Sequence, residues 1–324
     1  VTTLQKVLVG AAIAQSALLA FTWMPQGDGS REPRDLLGFP VDQIQNVKVH
    51  GRTSRDEKPP SAPVSLTRTD AGWVLDSSDG YPASDTYVKP LLDNLARLQV
   101  REPVATKEES FATLEVADGI HTRKVEVTAK DGTSRTIYFG AASGQVSHVR
   151  LAGESEAFDV KGFTAWALAE NDNRYFERDL MKVPVSDVTN VSLTRPGAPP
   201  VTFAKDDAGS WTISGIGEGR VVDQAATTNY LGNLLQLRML QPEGKEIRPE
   251  MGFDDGYLVA WTQLENGAPV NHDYRLGAMI PVAEGRRWLK LDSSPFVFTA
   301  NKGNIASAVE KDLDTLFQSA APVP

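Results

Sequence analysis

Apolar positions along this chain follow the periods of strands and helices, and the whole pattern occurs twice. In VDQIQNVKV, Val41, Ile44, Asn46, Val47 and Val49 have the spacing of Val185, Val188, Asn190, Val191 and Leu193 in VSDVTNVSL. VSLTRTDAGWVL (64–75) and VTFAKDDAGSWTI (201–213) follow. Each holds two alternating runs around an Asp-Ala-Gly turn, with a Trp just beyond it, which predicts a β-hairpin. Leu92, Leu95 and Leu98 then match Leu231, Leu234 and Leu237, at a spacing that lines one helix face. Asp85 and Asp223 are the expected N-caps of the two helices. Ala112-Thr113-Leu114-Glu115 aligns with Met251-Gly252-Phe253-Asp254, and three or four alternating segments follow in each copy. Amphipathic stretches at 163–180 and 304–317 close the copies.

Order, spacing and turn chemistry agree across most of the chain, which points to duplication. The expected fold class is α+β, with an N-terminal transmembrane helix followed by two duplicated domains. Each domain is expected to be a mostly antiparallel sheet packed with one long helix. The first repeat domain is placed at 41–182, the second at 183–318, and a tail at 319–324.

The segment before the repeats is different. VLVGAAIAQSALLAFTW (7–23) has no charged residue and is followed by Met24-Pro25 and Gly27, which predicts a membrane-spanning anchor over 1–25 and a linker over 26–40. A cleaved secretory signal, with Ala12-Ile13-Ala14 as its small residues, is the alternative. Lys6 precedes the span, so the positive-inside tendency puts the bulk of the chain outside the cytoplasm. The expected location is the bacterial inner membrane, single-pass, with the C-terminal domains in the periplasm and the bilayer contacted through 7–23.

The 324 residues carry a formal charge of −9, with Lys and Arg scattered among acids, which argues against nucleic acid as a partner. Absence of Cys removes disulfides, thiolate nucleophiles and Cys-ligated metals. His50, His121, His148 and His272 lack the spacing of a metal pair and are expected at exposed or strand-edge positions. Asp254-Asp255 and the run Glu243, Glu246, Glu250 fit turn and solvated-loop roles better than a catalytic pair. Glu170-Asn171-Asp172-Asn173 lacks the glycine and terminal Glu of a calcium loop.

Gly215, Gly217 and Gly219 lie between a strand and a helix, as in a phosphate-binding turn. No Lys-Ser/Thr follows, and Glu218 stands where a phosphate would approach. No catalytic residue, cofactor or metal is expected, and the chain is not read as an enzyme. Trp73, Trp211, Trp261 and Trp288 fit strand cores. Phe163, Trp166, Tyr175 and Phe176, near the junction of the repeats, are expected to fill the seam between them, and any of the four that is exposed there is a candidate partner contact.

Trp73, Leu92, Leu95, Met251-Gly252-Phe253-Asp254 and Leu276-Gly277 make Val41 to Leu316 resemble the domain-of-unknown-function family 4340. In the first copy its usual glycine is replaced by Thr113. The resemblance implies a tandem-repeat bacterial envelope protein with an N-terminal anchor, associated with ABC-type transporters, and it transfers no catalytic residue. The expected function is that of a membrane-anchored extracytoplasmic accessory or scaffold subunit of a larger membrane complex, most simply an ABC-type export system. Its partners would be other integral membrane subunits, such as a transporter permease. An accessory subunit of a respiratory or photosynthetic complex is one alternative, and an envelope glycan-binding module or enzyme is another.

Overall fold

Val47 and Val191, matched in the two sequence copies, sit at the centres of two antiparallel sheets. Val47 pairs with Leu66 on one side and Val127 on the other, and Val191 pairs with Phe203 and Trp261. The computed structural model describes residues 31–53, 62–281, 283, 285–301, 303 and 307–318. The anchor expected at 7–23 and the tail at 319–324 lie outside the described residues, and the linker at 26–40 and the closing stretch at 304–317 lie partly outside them.

The first sheet has nine strands, in spatial order Tyr81–Pro82, Gly72–Leu75, Val64–Thr69, Ile44–His50, Arg123–Ala129, Ser134–Ser143, Val146–Leu151, Ala157–Lys161 and Pro103–Ala105. The second has eight: Trp211–Ser214, Val201–Lys205, Val188–Thr194, Tyr257–Glu265, Ala268–Met279, Arg286–Leu291, Val297–Asn301 and Gln241–Pro242. Strand for strand the order is the same, except that the second sheet has no counterpart of Tyr81–Pro82. At that edge the Gln224 side chain takes the place of a strand. It accepts from the Trp211 amide at 2.7 Å and donates to the Trp211 carbonyl at 2.9 Å. The Trp211 backbone at this edge is thereby satisfied without a ladder.

One helix belongs to each sheet. Asp85–Ala96 buries Val88, Leu91, Leu92 and Leu95, and Gln224–Leu234 buries Thr227, Tyr230, Leu231 and Leu234, both at helical spacing. The second helix is capped by Asp223, whose carboxylate accepts from the Ala226 amide at 2.9 Å. In the first helix Ser84, not Asp85, occupies the N-cap. Buried Tyr274 reaches from the second sheet to donate its hydroxyl to the Leu234 carbonyl at 3.0 Å, satisfying a helix-end acceptor.

The fold-class expectation is corrected in two respects. The described residues are sheet-dominated, 44% strand and 20% helical with four short helices among them, and the two helices on the sheets have 12 and 11 residues, not one long span each. The leucine spacing continues past the helix in the first copy, but there Leu98 leads into the short strand Gln99–Val100. No helix among the described residues is long and apolar enough to cross a membrane.

Gly140 and Gly277 mark the tightest crossings. Both lie at irregularities of the sheet register, between Phe139 and Ala142 and between Leu276 and Met279. A Cβ on Gly140 would overlap the Leu114 carbonyl oxygen, and one on Gly277 would overlap that of Met251. The same crossing identifies the true equivalents. Left-handed Gly252 (φ +62°) follows Met251, and left-handed Glu115 (φ +55°) follows Leu114. Glu115, not Thr113, therefore stands where the second copy has glycine, two residues from the sequence alignment. Its carboxylate accepts from Thr122 at 2.6 Å and from Arg52 at 3.0 Å, which holds the unusual backbone in place.

Replacing Gly277 or Gly140 by Ala should each cost about 2–3 kcal/mol, because the added methyl meets backbone that cannot yield. Gly119→Ala, where no atom lies within 4 Å of the new methyl, should change stability by less than about 0.5 kcal/mol. Chemical denaturation midpoints of the three variants check this.

Candidate interaction surface

The segment that closes the first copy carries all four candidate contact residues. Phe163 follows the left-handed Gly162 and packs edge-on against Phe139, with ring centres 5.6 Å apart. Ala165–Ala167 then form a single tight turn. Ala165 and Leu168 are buried, and Trp166 between them is 75% exposed. The turn is fixed from behind. Buried Arg123 donates from Nε to the Leu168 carbonyl at 2.9 Å and from Nη1 to the Thr122 carbonyl at 2.7 Å, and it pairs with Glu170 at 3.2 Å.

Tyr175 and Phe176 run back to the start of the helix. The Tyr175 carbonyl accepts from the Ser84 amide at 2.7 Å, and Phe176 makes an antiparallel bridge with Ala83. Phe176 also meets Tyr81 edge-on at 5.8 Å, and Tyr81 in turn meets Phe296 at 5.0 Å and Phe298 at 5.9 Å in the last strand region of the second copy. Burial pushes the Tyr81 hydroxyl pKa well up, and that hydroxyl donates to the Glu177 carbonyl at 2.6 Å.

Phe163, Tyr175 and Phe176 are thus core residues, at most 6% exposed. They are interior residues, and Phe176 fills the seam between the copies through its contact with Tyr81. Trp166 alone of the four presents an apolar surface.

The second copy repeats the closure and accounts for the glycine loop. The Leu316 carbonyl accepts from the Asp223 amide at 2.8 Å, and Phe317 bridges Val222. The Phe317 ring occupies the space a Cβ on left-handed Gly217 would need, under the Arg220 guanidinium at 4.4 Å. Gly215 is likewise left-handed and close to the Pro200 carbonyl. The loop's room is filled by an aromatic ring from the chain itself, and Arg220 is paired with Asp314 at 2.7 Å.

The histidines and several of the acidic residues singled out in the sequence make structural contacts. His121 is buried rather than exposed or at an accessible edge. Its Nδ1 lies 3.3 Å from the Ala117 carbonyl oxygen, and desolvation lowers its pKa. Desolvation, reinforced by Lys124, also lowers that of half-buried His50. His148 pairs with Asp159 at 2.7 Å, and His272 pairs with Glu265 at 2.9 Å while stacking on Trp261. Asp172 accepts from Ser77 and Ser78, tying the proposed calcium-like turn to the first hairpin. Arg248 pairs with Glu250 and covers the half-buried Trp288 at 5.6 Å. Among the described residues no three His, Asp or Glu side chains are grouped to hold a metal.

Phe176→Ala should cost about 3–5 kcal/mol, the usual loss for a buried aromatic. Trp166→Ala, at 75% exposure, should stay within about 0.5 kcal/mol of the parent. Thermal or denaturant unfolding of the two variants measures the difference.

The family model described as "Domain of unknown function (DUF4340)" matches residues 73–256, from the Trp of the first hairpin to the start of the long hairpin in the second sheet. No curated protein and no solved structure matches the chain. With more than half of its length matched, and with the duplicated sheet carrying that match across both copies, the chain belongs to the DUF4340 family.

Proposed function

We propose that this protein is a scaffold: a membrane-tethered, extracytoplasmic accessory subunit of a larger membrane complex, with its two sheet units in the periplasm. The observation that carries this reading is the contrast at the closing segment of the first copy. Phe163, Tyr175 and Phe176 are locked into the core, and Trp166, on the same short stretch, stands 75% exposed on a turn that buried Arg123 holds in place. A large aromatic on a fixed turn suits an interface anchor, since it offers contact area at low ordering cost. The uncharged segment 7–23 supports attachment to the bilayer. Within this reading an ABC-type export system is the favoured assembly, and the occupant of the Trp166 surface is an integral membrane subunit of its permease.

Extraction of the tagged full chain from its native membrane in mild detergent tests the proposal. Stoichiometric recovery of permease-type and nucleotide-binding subunits is expected, and Trp166→Ala should reduce that recovery at least tenfold without altering the unfolding midpoint. Recovery with respiratory or photosynthetic subunits would replace the transporter assignment with that assembly. Recovery of the free monomer alone would overturn the scaffold role.

A further inference from the structure

Each copy has a groove at the C-terminal end of its helix, and in the first copy the end of the next-to-edge strand forms the other wall. That groove encloses about 610 Å³. Three cations line it, Arg97, Arg101 and Lys161, all exposed and without an ion pair among the described residues. Two acids also line it, but each has another partner. Glu102 accepts from the Arg31 amide at 2.6 Å, and Asp159 pairs with His148 at 2.7 Å.

At the equivalent described positions the second copy lacks this charge. By the helix alignment Gln236 and Leu240 stand where the first has Arg97 and Arg101, and by the pairing of Phe158 with Val149 and of Phe298 with Leu289, Asn301 stands where it has Lys161. The cations that line the second groove are differently placed and occupied: Arg238 pairs with Asp179 at 3.3 Å, and Lys311 sits over the Tyr230 ring at 5.7 Å. A chain of net charge −9 thus concentrates, in one of two corresponding grooves, three cations that have no ion pair among the described residues.

The cationic groove is the one beside Arg31. Arg31 is fixed there through Glu102 and Glu156, and Arg34 through Glu154. Seven residues, 24–30, separate Arg31 from the apolar segment 7–23, and covalent geometry limits their span to about 25 Å. If the apolar segment is in the bilayer, as the proposed function has it, the groove is held within that distance of the lipid headgroups. Juxtamembrane Lys and Arg clusters are drawn to anionic headgroups, each contributing severalfold in affinity.

We infer that the groove formed by Arg97, Arg101 and Lys161 binds the phosphate of an anionic phospholipid headgroup, and that it orients the first sheet unit on the membrane. The inference rests on the membrane-tethered reading for its geometry, and its test is made independent of it.

The full chain in neutral detergent is titrated with dioctanoyl-phosphatidylglycerol, dioctanoyl-phosphatidylcholine or inorganic phosphate, and bound ligand is counted by native mass spectrometry. Phosphatidylglycerol should bind at least tenfold more tightly than either of the others. The combined variant Arg97→Gln, Arg101→Gln, Lys161→Gln should weaken it at least tenfold, and Arg238→Gln, in the other groove, should leave it unchanged. The charge-keeping variant Arg97→Lys, Arg101→Lys, Lys161→Arg should retain it, which separates loss of charge from loss of fold.

Equal phosphatidylglycerol affinity in the parent and the Gln variant would overturn the inference. So would loss of binding in the charge-keeping variant, or inorganic phosphate binding as tightly as the lipid. Retention of the parent in the membrane pellet after an alkaline wash is measured in parallel. Its failure would overturn the tether and leave the lipid titration to decide the groove.

Discussion

The ring of Tyr81 is where the two copies become one structure. It meets Phe176, from the end of the first copy, and Phe296 and Phe298, from the second, all edge-on. Edge-to-face pairs of this kind contribute about 0.5–1.5 kcal/mol each beyond the area they bury. The polar rim of the seam points the same way. Lys245 donates to the Asp79 carbonyl at 2.8 Å while covering Phe296 at 4.8 Å, and Arg178 donates to the Leu240 and Asn173 carbonyls. Between the sheets Asp179–Lys182 pairs with Gln236–Arg238, as Arg34–Asp35 pairs with Gln99–Val100 in the first copy. Most buried apolar residues of both sheets accordingly form one continuous core, with Phe111, Val116, Tyr138 and Ala157 in a smaller separate cluster of the first copy.

Guanidinium groups hold backbone carbonyls around this core. Buried Arg150 donates from Nε to the Val116 carbonyl at 2.8 Å, pairs with Asp118, and lies 4.9 Å from the rings of both Phe111 and Tyr138. Arg195 in the second copy turns its Nε to the Val309 carbonyl at 3.0 Å. Guanidinium groups suit this work, because several donors in one plane can satisfy backbone acceptors that loops leave open. The exposed Trp166 on its fixed turn and the cationic groove next to Arg31 are the surfaces proposed for a partner and for lipid.

The repeat was legible because it rests on strand and turn chemistry, which sequence records directly. The apolar spacing of Val47 and Val191 and the Asp-Ala-Gly turns define elements whose partners are close in the chain. The closing stretches were not legible, since Phe163, Tyr175 and Phe176 mimic an amphipathic helix while lying on turns and a bridge strand. Their burial is set by distant residues, Phe139 for Phe163, Ser84 for Tyr175 and Tyr81 for Phe176. The same limit applied to the glycine loop, whose vacant space is meant for Phe317, nearly a hundred residues later in the chain. Glu115 was missed for a different reason: a non-glycine residue at positive φ has no composition signal, and only the shared crossing at Gly140 and Gly277 exposes it. His121 was placed outside because a lone His carries no mark of burial. The nearest signal was its position beside the turn at Gly119.

Native-state hydrogen exchange on the full chain, with and without Tyr81→Ala, tests most directly whether the two copies share one core. If they do, the most protected amides of Ile44–His50 and of Val188–Thr194 lose protection together, by the same free energy, when the Tyr81 ring is removed. Loss confined to the first sheet, with the second unchanged, would contradict the account and make the repeats two independent domains joined by a tether.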